Sequence, residues 1–104
     1  MKKAMISQPM NDRPPEQIKH DRERAIKYLE KLGYEYVDTY ISEPAPERNP
    51  ALWFFARIAD IMRECDLVLF IGDWQNARGC QAEYYLCRNY GVESMQYFEE
   101  DDKE

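Results

Sequence analysis

Apolar and polar residues change spacing repeatedly along the chain, and each change marks an element. Lys3 to Ser7, KAMIS, is a short apolar run closed by Gln8-Pro9. The polar stretch that follows, MNDRPPEQ, carries two prolines suited to a loop and to the first turn of a helix. From Pro15 the apolar positions Ile18, Ala25, Ile26, Leu29 and Leu32 keep helical spacing, and Gly33 stands where a left-handed C-terminal cap is expected. The pattern predicts a strand, a loop and an amphipathic helix over Pro15 to Leu32.

Glu35 to Asp38 reads as a second short strand. The Pro-rich connection after it, TYISEPAPERNP, is too irregular for an element and long enough for a flexible lid. Asn49-Pro50 supplies a cap and first turn for a second helix running to about Glu64. Leu52, Trp53, Phe55, Ala56, Ala59, Ile61 and Met62 occupy most of that helix's circumference, which predicts either deep packing or a contact shared with another subunit. Asp66 to Ile71 is a continuous apolar run bounded by a charge and a glycine, as expected of a central parallel strand covered on both faces. A third helix is expected from near Ala77 to Tyr90, closing at Gly91, and a last strand from Glu93 to Phe98.

This alternation predicts an α/β, three-layer flavodoxin- or Rossmann-like fold: a four-stranded parallel sheet with about three helices and right-handed crossovers. No internal repeat is visible. The 104 residues are read as one domain with one modest core, ending in an acidic, disordered tail at 99–104, EEDDKE, whose plain role is solubility.

Composition narrows function more than fold. A hydrophobic share of 44% beside 33% charged residues is that of a folded, soluble chain. The eight tyrosines suit amphipathic surfaces at a pocket or a subunit contact. A net charge of −6 repels an extended phosphate backbone and argues against nucleic-acid polymers as partners. The opening MKKAMISQPM has no apolar signal core and no run approaches the length of a membrane span, so the expectation is a cytoplasmic protein with no membrane partner. Cys65, Cys80 and Cys87 are odd in number and form no CxxC pair, which supports neither a disulfide framework nor a zinc site. They read as reduced packing residues.

In an open parallel sheet ligands bind beyond the carboxyl ends of the strands, where the following connections diverge. Two loops qualify: SQPMNDR, from Ser7 to Arg13, and GDWQNARG, from Gly72 to Gly79. If the first and third strands are neighbours, both overhang one crevice. Asn76 is a suitable helix cap, so Ala77, Arg78 and Gly79 would present free backbone amides to an anion, with Arg78 adding a charged fork. Trp74 offers a flat surface for a base or sugar. Glu83 lies about two turns into the helix and four residues beyond Gly79, hence on the same face, where the glycine leaves its carboxylate uncovered. On a rigid helix under that crevice it suits a nucleophile at an anomeric carbon or a partner for a sugar hydroxyl. The competing reading of Glu83 and Arg78 is a solvated helix surface, and of Trp74 a lid on the core. His20 sits on the polar face of the first helix and reads as a surface residue. Cys80, at a helix start with no histidine nearby in sequence, ranks below the carboxylate as a nucleophile.

The opening MKKAMISQPM, the run CDLVLFIGDWQNARGCQAEYYLCRNYG and the spacing between them resemble the DUF4406 family, a small branch of the nucleoside 2-deoxyribosyltransferase-like superfamily, over nearly the whole chain. The specific part is the ISxPM opening together with the W-x-x-[AS]-R-G-x-x-x-E block. The resemblance implies a flavodoxin-like sheet in a homodimer or higher symmetric homo-oligomer, a pocket for a nucleoside or nucleotide, and no metal or organic cofactor. It implies that Glu83 is the nucleophile attacking C1′ of the sugar. Ser7, Gln8 and Met10 would then line the base and sugar end, and Arg78 with Gly79 the end near the helix N-terminus, with Pro9, Gly72, Trp74 and Asn76 as further ligand-binding candidates in the same two loops. A second acid would come from Asp73, Asp60 or a neighbouring subunit. Catalytic relatives tend to carry an aspartate eight residues before the acidic residue that starts the central strand. Here that position is Ile58, and Asp60 is two helical residues further on, a rotation of about 200°. Met5 and Gln8 also stand where many relatives have tyrosine and glycine. The implied activity is cleavage or exchange of the N-glycosidic bond of a (deoxy)nucleoside or its 5′-monophosphate; the alternative is a non-catalytic protein that senses or sequesters such a ligand.

Overall fold

The computed structural model describes residues 1–98; the acidic tail expected at 99–104 lies outside the described residues. Four strands, β1 (Lys3–Ser7), β2 (Glu35–Tyr36), β3 (Leu67–Ile71) and β4 (Glu93–Tyr97), alternate with three helices, α1 (Pro15–Lys31), α2 (Pro50–Met62) and α3 (Arg78–Tyr90). The sheet order is β2-β1-β3-β4 and every pairing is parallel. This is the predicted four-stranded parallel sheet of a three-layer α/β fold.

The local chemistry explains most boundaries. Asn49 caps α2 by accepting a hydrogen bond from the Leu52 N–H at 3.2 Å, and Pro50 fills the first turn, where a missing N–H is harmless. Gly91 closes α3 with φ of 72°, a left-handed conformation that glycine adopts without penalty. β2 is shorter than predicted, since only Glu35 and Tyr36 pair with β1. The Val37 N–H still reaches the Ala4 carbonyl, but Asp38 then accepts from the Tyr40 N–H and turns the chain out of the sheet.

Residues of β3 are buried throughout and alternate between two apolar layers, as a strand covered on both faces must. Leu67, Leu69 and Ile71 pack with Ala25 and Leu29 of α1. Val68 and Phe70 pack on the other face with Met62 of α2 and with Cys80 and Cys87 of α3. All three cysteines are free thiols, and Cys80 and Cys87 serve as core residues.

The deep packing offered as one reading of α2 does not occur. The helix joins the core through its C-terminal half, with Met62 buried and Ile58 and Ile61 packed beside it, while Leu52 stays 60% and Phe54 40% exposed. The irregular connection before α2 is tied to it by an ion pair between Glu43 and Arg57. Among the described residues no helix is long and apolar enough to cross a membrane.

Candidate functional site

β1 and β3 lie side by side, yet the chain leaves β1 toward α1 on one face and leaves β3 toward α3 on the other. Their carboxyl ends therefore form a topological switch point, and the two loops singled out in the sequence meet there. A crevice of about 540 Å³ opens at this point, walled by Ser7, Gln8 and Met10 after β1, by Gly79 and Glu83 on α3, and by Ile58 on α2. A second hollow of about 550 Å³ continues from it along α2 and shares Phe54, Ile58, Gly79 and Glu83. Glu83 is thus the carboxylate common to both.

Burial pushes the Glu83 carboxyl from its ordinary value near 4.5 up to about 7, with the Ser7 hydroxyl the one group that offsets part of the rise. Among the described residues no cation pairs with it. Ser7 is only 2% exposed, and its Oγ makes no hydrogen bond of full geometry. That hydroxyl faces both Glu83 and the Cys80 thiol closely enough to lower each pKa. The thiol itself is driven by burial up to about 11, so Cys80 is protonated near neutral pH and a poor nucleophile. A Cβ added at Gly79 meets nothing within 4 Å, so the glycine holds open space in the crevice one turn before Glu83.

The start of α3 differs from the expectation in one respect. Asn76 is not its cap: Trp74–Asn76 forms a 3₁₀ turn, and Ala77, in extended conformation, precedes the first helical residue, Arg78. The Ala77 N–H is used by the Trp74 carbonyl, and the Gln81 N–H closes the first α-turn on Ala77. The first-turn amides without a helical acceptor are therefore those of Arg78, Gly79 and Cys80. Asn76 and Arg78 instead border a separate polar hollow of about 520 Å³, shared with Pro9 and Arg13. Arg78 lies on the rim between that hollow and the α2 side of the crevice.

Other sequence candidates lie elsewhere. Asp60 is 70% exposed and accepts a hydrogen bond from Arg63 Nε at 3.0 Å, on the side of α2 that its 200° offset from Ile58 dictates. Ile58, at the position where an acid is expected, lines the crevice itself. Asp73 pairs with Arg13 and does not line the crevice. Trp74 is 6% exposed, with its ring against Phe70 and Tyr84 at centroid distances of 4.9 Å, so it is a core residue and offers a ligand no face. Gly72, with φ of 66°, packs beside Pro9 and borders a different hollow on the α1 side. His20 is exposed.

The structure adds residues that the pattern did not single out. Arg22, on α1 two residues beyond His20, lines the crevice. Its Nε donates to Gln8 Oε1 at 3.1 Å, and Gln8 Nε2 in turn donates to the Ile18 carbonyl at 2.8 Å. Tyr40 and Ile41 of the Pro-rich connection form the outer wall, and Asn11 joins the loop after β1. Nothing in their spacing marks them, because they converge only once β2 and α1 are docked.

Comparison with curated proteins and with solved structures finds no match for the chain. A family model described as a domain of unknown function, DUF4406, matches residues 2–96, which takes in β1 to β3, all three helices, β4 up to its last residue but one, and every wall of the crevice. The chain belongs to the DUF4406 family.

Proposed function

We propose that this chain cleaves or exchanges the N-glycosidic bond of a (deoxy)nucleoside or its 5′-monophosphate, with Glu83 as the nucleophile, as a branch of the nucleoside 2-deoxyribosyltransferase-like superfamily would. The observation that carries the reading is a desolvated carboxyl, without a cationic partner, beside an open space at the switch point of a parallel sheet. A glutamate kept for structure would gain a charge partner or water; one held in this state destabilises the fold and suits chemistry. The Glu83 carboxylate attacks C1′ through an oxocarbenium-like transition state, the C1′–N bond breaks, and the base departs with the bonding pair and takes a proton from solvent. Water, or a second base in the exchange reaction, then displaces Glu83 from C1′. The amides at the start of α3 together with Arg78 would hold a 5′-phosphate.

A second reading, a binding protein without chemistry, is favoured by a specific observation. Neither Asp60 nor Asp73 lines the crevice, and Ile58, which does, stands where the resemblance leads one to expect an acid. Incubating the protein with a panel of deoxynucleosides and their monophosphates, with free base followed by chromatography, separates the two. Release by the wild type that disappears in Glu83→Ala supports the enzyme; tight binding with no release by either protein supports the binder.

The second acid and the closure of the crevice both fit a homo-oligomer. The exposed apolar part of α2, Leu52 and Phe54, is continuous with the wall that carries Glu83, so a second copy packed there by a twofold axis would cover both. Sedimentation velocity at micromolar concentration should show a dimer or larger species that Phe54→Arg converts to monomer; a monomeric wild type would exclude this assembly.

A further inference from the structure

Among the described residues Arg22 is the one cation that lines the 540 Å³ crevice. It is half-buried, and no carboxylate lies within ion-pair distance of it among the described residues. It does not neutralise Glu83, whose pKa is lowered by Ser7 alone. The guanidinium and the carboxyl therefore act on separate parts of the crevice. An unpaired cation at such a site is unusual unless something else completes it.

Its position is built. The chain from the Ile18 carbonyl to Gln8 Nε2, and from Gln8 Oε1 to Arg22 Nε, orients both polar ends of the glutamine side chain and leaves the arginine one plane to occupy. The guanidinium also meets the Tyr36 hydroxyl and lowers its pKa against the stronger effect of burial. With Nε engaged by Gln8 and the Tyr36 hydroxyl hydrogen-bonded to the guanidinium, the donors left for a ligand are the remaining N–H groups of the Nη nitrogens, and a guanidinium has no acceptor to offer. The same crevice is lined by Met10, Tyr40 and Ile41, apolar and aromatic surface that suits a planar heterocycle whose edge is read by the arginine.

We propose that Arg22 selects the base: its fork takes two adjacent acceptors, as the O6 and N7 atoms of a 6-oxopurine present, and rejects a 6-aminopurine, whose amino group would face it donor to donor. This inference rests on the nucleoside reading above and names its substrate class. Gln8 is a positioning residue in this scheme, acting through the guanidinium.

The test uses dIMP and dAMP, which carry the same phosphate and sugar and differ at position 6 of the purine, so that any contribution of the α3 amides cancels. Dissociation constants are measured by calorimetry for the wild type, Arg22→Met, which keeps the apolar stem, and Arg22→Lys, which keeps the charge without the fork. The wild type should bind dIMP about 10- to 100-fold more tightly than dAMP. That ratio should fall toward one in both variants and decline in Gln8→Ala, with thermal unfolding verifying that each variant is folded. Nucleotide binding with no preference for dIMP, or a preference that survives in Arg22→Met, overturns the role of Arg22 and leaves the nucleoside reading in place. Binding of neither nucleotide by the wild type overturns both.

Discussion

Glu83→Gln should be more stable than the wild type at pH 8, by up to about 3 kcal/mol, and indistinguishable from it near pH 4. Burial raises the carboxyl of the folded protein to about 7, against about 4.5 when it is free in solvent. A group whose folded-state pKa is raised stabilises the fold most fully below its unfolded value, where it is protonated in both states. That contribution is lost as pH rises through the folded value, because the unfolded chain ionises first and is favoured. At about 1.4 kcal/mol per unit, the loss across the window from about pH 4.5 to 7 reaches the stated size. Glutamine has nearly the same shape and no ionisation, so the difference between the two proteins isolates this one group. Urea unfolding at several pH values reads it. Equal stability at pH 8, or a less stable variant, would mean that Glu83 is solvated and that the crevice is not what holds it.

Phe70→Ala should lower the stability by about 3 to 5 kcal/mol, a large share of the total that a domain of this size possesses. Phe70 is fully buried at the carboxyl end of β3, with its ring 4.9 Å from Trp74 and 5.5 Å from Tyr84. Those two rings belong to the 3₁₀ turn and to α3, so the phenylalanine fixes the helix that carries Glu83 against the sheet. Truncation leaves a cavity that the pleated strand cannot collapse, since its neighbours in β1 and β4 hold its backbone. Denaturant melts of the variant give the value directly. A loss below about 1 kcal/mol would contradict this packing.

The elements were legible because their signals are local. Asn49-Pro50, Gly33 and Gly91 are helix-end chemistry, and the apolar run from Leu67 to Ile71 is unambiguous for a strand buried on both sides. Glu83 and Gly79 were legible as one helical face by spacing alone, and the neighbouring strands β1 and β3 bring Ser7 and Gln8 to the same crevice. Asn76 misled because a good capping side chain next to a helix start is not its cap when the chain first makes a 3₁₀ turn; that choice belongs to the packing of Trp74 on Phe70. Asp60 and Asp73 drew attention as acids, but the first is turned to Arg63 and the second to Arg13, pairings that depend on rotation about a helix axis and on two loops meeting. Arg22 escaped because its neighbours Gln8 and Tyr36 lie fourteen residues away on either side, one just past the end of β1 and the other in β2, and only the folded sheet brings them to the helix.

The role assigned to Glu83 is tested most directly by trapping the intermediate it would form. The protein is mixed with a 2′-deoxynucleoside monophosphate, quenched in acid within the first turnover, and digested for peptide mass spectrometry. A sugar-phosphate adduct is expected on the peptide containing Glu83, formed together with free base and missing from Glu83→Gln. Free base released without that adduct, or an adduct on another residue, would contradict it.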